Sequence, residues 1–270
     1  MARLKTLLTI AGSDSMGGAG IQADIRAGNS LGLQVVTAIT VVTAQNSSGL
    51  KQSFNVSPTL LKAQLNAILE DVIPEAVKIG LIESPKQIKV IVDFLKKIPS
   101  DIPVIVDPVF KLTRDKGSDR SSFLDHTEFL NEYKNLLNPL ATVVTPNLYE
   151  LKLLTMQDKI DSLTLERLNA KAAVIKGGHG KDNKLTDRLL IAGQEEIKIS
   201  HSKVDCENLH GTGCVFSSLL ASYMAIGFDL KESFLKTSTR LYEIITNSCN
   251  YHLGRSDYGP LNIQNNYLIK

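Results

Sequence analysis

The sequence predicts a doubly wound α/β protein built on a mainly parallel central sheet. Short β-branched runs alternate with longer amphipathic stretches along the chain, which is the signature of repeated strand–helix–strand units. The short runs are close to continuously apolar, as strands covered on both faces must be. Residues with chemical capacity stand just after those runs, where ligands of such sheets bind.

In chain order, Leu7-Leu8-Thr9-Ile10-Ala11 reads as the first strand, and Val35 to Thr43, rich in Val, Thr and Ile, as the second. Further strands are expected at 76–79, 103–107, 142–145 and 172–176. Between them, Leu60, Leu61, Leu65, Ile68, Leu69 and Val72 recur at helix spacing. Ser84-Pro85 supplies a cap and a proline for the first helical position, opening a run with Ile88, Ile91, Val92 and Leu95. The segment from Lys111 to Asp125 is charged, carries Gly and Ser, and shows no period; it reads as a mobile surface loop over the site. The expectation is one domain over residues 1–270.

Composition narrows the function classes. With 43% hydrophobic and 21% charged residues, the chain is an ordinary globular one. Its net charge of +2 argues against nucleic acid or an anionic membrane as the main partner. Met1-Ala2-Arg3-Leu4-Lys5 lacks signal-peptide architecture, and no apolar run approaches membrane-spanning length. The three cysteines, Cys206, Cys214 and Cys249, form no CxxC pair, so neither a disulfide framework nor a structural zinc site is expected. A cytoplasmic protein is expected.

The densest chemical signal is Leu209-His210-Gly211-Thr212-Gly213-Cys214, which runs directly into an apolar helical segment. Backbone N–H groups and a helix dipole converge there, a cradle for an anion such as phosphate. Cys214 falls in the first turn, where the dipole favours thiolate over thiol. Taken alone, the hexapeptide is better explained by a plain turn and a small core cysteine. Its company shifts the balance.

After the first strand, Gly12-Ser13-Asp14-Ser15-Met16-Gly17-Gly18-Ala19-Gly20 permits close backbone approach to a ligand, with a helix starting near Ala19. The spacing matches neither the P-loop nor the dinucleotide fingerprint. Gln45 offers a donor and an acceptor to an aminopyrimidine edge. Gly80, after Lys78-Ile79, could admit a ring against the backbone. Asp107 and the group Asn147-Leu148-Tyr149-Glu150 place hard oxygen ligands at two strand ends, which suits Mg²⁺ on a nucleotide. A strand-ending turn for Asp107 and a first-turn carboxylate for Glu150 explain them as well. Lys176-Gly177-Gly178-His179 sets a point charge beside flexible glycines, suited to a phosphate.

In this order, the segments resemble the ribokinase superfamily, and within it the hydroxymethylpyrimidine/phosphomethylpyrimidine kinases of thiamine biosynthesis. The matching pieces span residues 9 to about 220 and include Ala44-Gln45-Asn46, Lys78-Ile79-Gly80-Leu81, Asp107-Pro108-Val109 and His210-Gly211-Thr212-Gly213-Cys214. The resemblance implies a ribokinase-like three-layer α/β/α fold, a homodimer, and ATP with Mg²⁺. It implies phosphorylation of the hydroxymethyl group of 4-amino-5-hydroxymethyl-2-methylpyrimidine, and of its monophosphate to the diphosphate. By the same resemblance Gly12, Asp24, Gln45 and Leu81 would hold the pyrimidine. Asp107 and Glu150 would organise Mg²⁺. Lys176, Asn147 and Thr212 would meet ATP; Gly211, Thr212 and Gly213 would form the anion hole, and Cys214 would be the base.

Two regions depart from the pattern. Phe110-Lys111-Leu112-Thr113-Arg114-Asp115-Lys116 replaces the family's small-residue stretch, and the chain after Ile226 is only loosely similar. A pyridoxal kinase on the same scaffold is a second expectation, since both substrates are six-membered aza-aromatics bearing a hydroxymethyl group. A pyrimidine-binding protein with weak catalysis, motivated by the rewritten loop, is a third.

Overall fold

In a computed structural model of the chain, the structure describes residues 3–110, 127–157, 159–177, 183–251, 253–254 and 259–263. The loop expected over 111–125 and the pair Gly178-His179 lie outside the described residues.

Strands β1 (Thr6–Asp14), β2 (Gln34–Asn46), β3 (Gly49–Asn55), β4 (Ala76–Ile79), β5 (Val104–Val106), β6 (Val143–Val144), β7 (Ala172–Ile175), β8 (Lys184–Ile191) and β9 (Ile197–Ser202) form one sheet. Its order is β3-β2-β1-β4-β5-β6-β7-β8-β9. The pairs from β2 through β7 are parallel, while β3, β8 and β9 join antiparallel at the two edges. The helices are α1 (Gly20–Asn29), α2 (Pro58–Asp71), α3 (Pro85–Leu95), α4 (Thr127–Glu132), α5 (Leu148–Thr155), α6 (Thr164–Leu168), α7 (Thr212–Ile226) and α8 (Leu230–Ser248).

Alternation along the strands sorts side chains to two faces. Leu8, Val77, Val104 and Val144 join a core with Leu61, Leu65, Ile88, Ile91 and Leu151, under α2, α3 and α5. Leu7, Ala76, Ile105 and Val143 join the opposite core with Ala23, Ala27, Val215, Leu219 and Phe234, under α1, α7 and α8. Helices thus cover both faces of a mostly parallel sheet, as expected.

The sequence located the parallel strands and the helix at Ser84, whose hydroxyl accepts from the Gln87 N–H. The antiparallel edges were not foreseen. Strands β3, β8 and β9 are half exposed and polar on one side, so they lack the continuous apolar run of a doubly covered strand.

Chain direction reverses across the sheet between β1 and β4, since β1 leads to β2 on one side and the chain returns to β4 on the other. Such a switch point leaves a crevice outside the carboxyl ends of the strands. Asp14, Gly80, Asp107 and Lys176 all stand there.

Candidate active site

A cavity of about 350 Å³ opens at those strand ends. Its walls include Gly12, Gln45, Leu81, Asp107, Asn147, Glu150, Lys176, Gly211, Thr212, Gly213 and Cys214. Nearly every residue nominated from the sequence is therefore on one surface, although the segments are far apart in the chain.

Backbone packing builds the floor. Gly20 sits at φ +55°, and a Cβ there would overlap the carbonyl of Gly12. Gly211 caps α7 at φ +84°, and a Cβ there would overlap the carbonyl of Gly18. Both positions demand a residue without a side chain. The loop after β1 and the loop before α7 consequently touch backbone to backbone. A cross-chain bond fastens them: His210 Nε2 lies 2.8 Å from Asp14 Oδ2, which also accepts the N–H groups of Gly18 and Ala19. Burial would raise the Asp14 carboxyl, but His210 and the Met16 and Ala19 N–H groups hold it below the usual range. The His210 ring thus reaches across to the β1 loop.

At the start of α7, the Thr212 N–H and hydroxyl both turn back to the Leu209 carbonyl, at 3.3 and 2.6 Å. Gly213 and Cys214 follow as first-turn residues, whose N–H groups have no partner inside a helix. The half-buried Cys214 receives a hydrogen bond from the Gly20 N–H.

Charge is gathered at the ends of β5 and β7. Lys176 Nζ lies 2.7 Å from Asp107 Oδ1 and 3.9 Å from Glu150 Oε2. Thr145 and Ser217 hydroxyls also donate to Asp107. Asn147 and Glu150 cap α5 reciprocally, each side chain bonded to the other's backbone N–H. The capping account of Glu150 thus holds, and the same residue also lines the cavity. Burial pushes its carboxyl up to about 7; Lys176 pulls it down and Asp107 raises it further. Burial works against the Lys176 ammonium, but Asp107 and Glu150 outweigh it and raise its pKa.

Two expectations need correction. Asp24 is fully buried and does not reach the cavity; Lys78 Nζ binds its two oxygens at 3.0 and 2.9 Å, and Thr9 and Ser218 hydroxyls donate to it as well. The resemblance placed it on the pyrimidine, while the buried lysine that takes it up lies 54 residues away. Cys214 is not a ready thiolate either: burial pushes its thiol up to about 11, with Asp107 and Asp24 adding to the effect of burial. The helix start and Lys78 do not overcome that.

The sequence reading assigned no role to the far end of the cavity. Leu185, Asp187, His201, Leu241, Tyr242 and Ile245 line it. The His201 ring stacks on Tyr242 with centroids 4.6 Å apart, and its buried Nε2 has no hydrogen-bond partner among the described residues. These residues come from β8, β9 and α8, elements without a local motif, so nothing in the sequence marked them.

Among the described residues, no cluster of three or more His, Cys, Asp or Glu side chains forms a ready-made metal site. Asp107 and Glu150 are nonetheless paired oxygen donors beside a phosphate-sized anion cradle. That donor set fits Mg²⁺, which takes one or two carboxylates plus water and substrate phosphates.

Comparison with known proteins follows the same line. The phosphomethylpyrimidine kinase family model matches residues 14–262. A hydroxymethylpyrimidine/phosphomethylpyrimidine kinase of Rhizobium meliloti is 35% identical over 262 residues, covering 94% of this chain and 95% of that protein. The Bacillus subtilis enzyme of that name is 35% identical, with 94% and 93% covered. Among solved structures, a Staphylococcus aureus pyridoxal kinase in complex with ADP is 25% identical with a TM-score of 0.83, covering 97% of this chain and 94% of that one. A phosphomethylpyrimidine kinase from Clostridium difficile is 31% identical with a TM-score of 0.71, covering 88% and 98%.

The thiol chemistry is directly measurable. Alkylation of Cys214 by iodoacetamide is expected to accelerate about tenfold per pH unit up to a midpoint near 11, because only thiolate reacts. A midpoint near 8 would mean that the cradle activates the sulfur after all.

Proposed function

The chain belongs to the phosphomethylpyrimidine kinase family, and we propose from that premise how its site performs the reaction. It transfers the γ-phosphoryl group of ATP to the hydroxymethyl oxygen of 4-amino-5-hydroxymethyl-2-methylpyrimidine, in thiamine biosynthesis. The observation that carries the residue assignment is the convergence of Lys176, the Gly211–Gly213 loop and Cys214 on one cavity at the sheet's switch point.

Phosphoryl transfer needs in-line placement and charge neutralisation more than covalent help from the protein. Gly213 and Cys214 N–H groups, with the positive end of α7, meet the transferring group. Lys176 neutralises the phosphates, and the Asn147 amide lies beside them. Asp107 and Glu150 are the residues that would hold Mg²⁺, which supplies further charge neutralisation when bound. The His201–Tyr242 end provides a stacked aromatic wall for the adenine. On the other side, Gln45 reads the aminopyrimidine edge and Leu81 packs against its ring, over the bare backbone of Gly12.

Cys214 accepts the hydroxymethyl proton. With its thiol near 11, the thiolate is only about one part in 10⁴ at pH 7, each pH unit being a factor of ten. Turnover draws on that minor form, so Cys214 is not a preformed base.

The same scaffold in pyridoxal kinases, 25–28% identical with TM-scores of 0.81–0.83, favours pyridoxal as a second acceptor to be tested. A homodimer and a cytoplasmic location complete the reading. The β2–β3 ribbon supports the dimer, since paired Val42 and Phe54 are 47% and 74% exposed, an apolar pair that a second subunit would cover. Sedimentation at micromolar concentration should give a dimer, shifted toward monomer by Phe54→Lys; a monomeric native chain removes this part of the reading.

The deciding assay is ADP release with Mg-ATP on the hydroxymethylpyrimidine, its monophosphate and pyridoxal. The native chain is expected to prefer the pyrimidine in kcat/KM and also to turn over the monophosphate. Cys214→Ala is expected to lose about 10²-fold or more in kcat, the scale of a positioned proton acceptor, while still binding ATP. Preference for pyridoxal would replace the substrate assignment, and near-native turnover by Cys214→Ala would remove the base.

A further inference from the structure

Two cysteines that the reaction does not use meet where the chain enters the anion cradle. Cys206 is buried in the segment before α7, and the half-buried Cys249 caps the far end of α8. Both are free thiols. They donate to one and the same atom, the Ile245 carbonyl oxygen, at 3.6 and 3.2 Å. That carbonyl belongs to the last turn of α8, where carbonyls lack a helical N–H partner. The two thiols are also in hydrogen-bonding contact with each other, and this contact joins burial in pushing the Cys206 thiol up to about 11.

Short links tie this pair to the site. Asn208, two residues past Cys206, donates to the Ser248 and Tyr251 carbonyls and accepts the Gly259 N–H at 2.9 Å. His210 follows, its N–H on the Gly259 carbonyl at 3.2 Å and its ring on Asp14. On the helix side, Leu241, Tyr242 and Ile245 line the far end of the cavity. The thiols therefore join the approach to the Gly211–Gly213 loop with the helix that walls the site. A single buried cysteine is ordinarily a small apolar filler. Two of them over one oxygen are different, because a thiol is a weak donor and a hydroxyl would serve that carbonyl better.

We propose that Cys206 and Cys249 form a redox modification site, a dithiol that a small-molecule disulfide such as oxidised glutathione closes reversibly, tethering the anion-cradle loop to α8 and slowing turnover. Cys249, the more exposed of the two, attacks the oxidant as thiolate and displaces one glutathione thiolate. The Cys206 thiolate then attacks the Cys249 sulfur of the mixed disulfide and displaces the second. Two protein sulfurs are oxidised, two glutathione sulfurs are reduced, and the two protein protons end on glutathione. An S–S bond of about 2.05 Å is far shorter than a contact between unbonded thiols. Its closure draws loop and helix together and takes both donors from the Ile245 carbonyl. This is a switchable bond, of the kind that serves redox sensing in reducing compartments, and not a disulfide framework.

The test treats the native chain with excess oxidised glutathione, blocks remaining thiols with N-ethylmaleimide and maps the peptides by mass spectrometry without reduction. A Cys206–Cys249 cross-link is expected, with Cys214 outside it. ADP release by the oxidised chain is expected to fall about tenfold or more, since a displacement of roughly 1 Å at a positioned site can cost about 10²-fold. Dithiothreitol should restore it. Cys206→Ser and Cys249→Ser keep a donor at each position; both should match native turnover before oxidation and lose the response to the oxidant. Cys206→Ser should stop at the glutathione adduct on Cys249. Two unlinked thiols in the oxidised native chain, or a cross-link through Cys214 instead, overturn the site. A Cys206–Cys249 cross-link with native turnover overturns the tether's effect on the reaction. The cross-link is read by mass alone, so a chain that forms it yet phosphorylates none of the substrates fails the kinase reading and not the dithiol.

Discussion

The contact between Lys176 and Asp107, at 2.7 Å, is the interaction on which the rest of the site depends. It joins the ends of β5 and β7, and through Ser217 it fixes the first turns of α7 against both. A buried charge without its partner costs several kcal/mol, so the pair holds both groups in this arrangement. The site is thus held in shape by its own charges.

Glu150 shows the same economy. Its carboxylate closes the cap of α5 with Asn147, which sets its position to within a hydrogen bond. Burial nevertheless pushes its carboxyl up to about 7, against the pull of Lys176. One residue serves as helix cap and as cavity lining, because the helix start and the strand end coincide at the crevice. The glycine contacts work in the opposite sense. Gly20 and Gly211 supply no group; they let two loops close to backbone distance, and His210 with Asp14 then locks them.

What the sequence revealed and what it concealed divide along physical lines. The parallel strands were legible because burial on both faces imposes an apolar run, and α3 because Ser84-Pro85 is a local capping signal. The catalytic loops were legible because tight backbone approach requires glycine at positions such as Gly211. The edge strands β3, β8 and β9 were not, since a half-solvated strand needs no such run. The pairing of Asp24 with Lys78 was not legible because the two are distant in sequence, and no local pattern says that a carboxylate's oxygens are already taken. The Cys214 thiol was misjudged for a related reason: the helix start is local and visible, whereas the burial and the carboxylates that raise it are tertiary. His201 and Tyr242 meet only through the packing of α8 on the β8–β9 hairpin.

The central claim is that Lys176, held ready by Asp107, carries the charge compensation for phosphoryl transfer. It is tested most directly by Lys176→Met, with turnover measured by ADP release and pyrimidine binding by calorimetry. The account predicts a loss of about 10²–10³-fold in kcat/KM, the scale of a removed electrostatic stabiliser, with pyrimidine affinity retained. Turnover within about fivefold of native, well short of that scale, would contradict it.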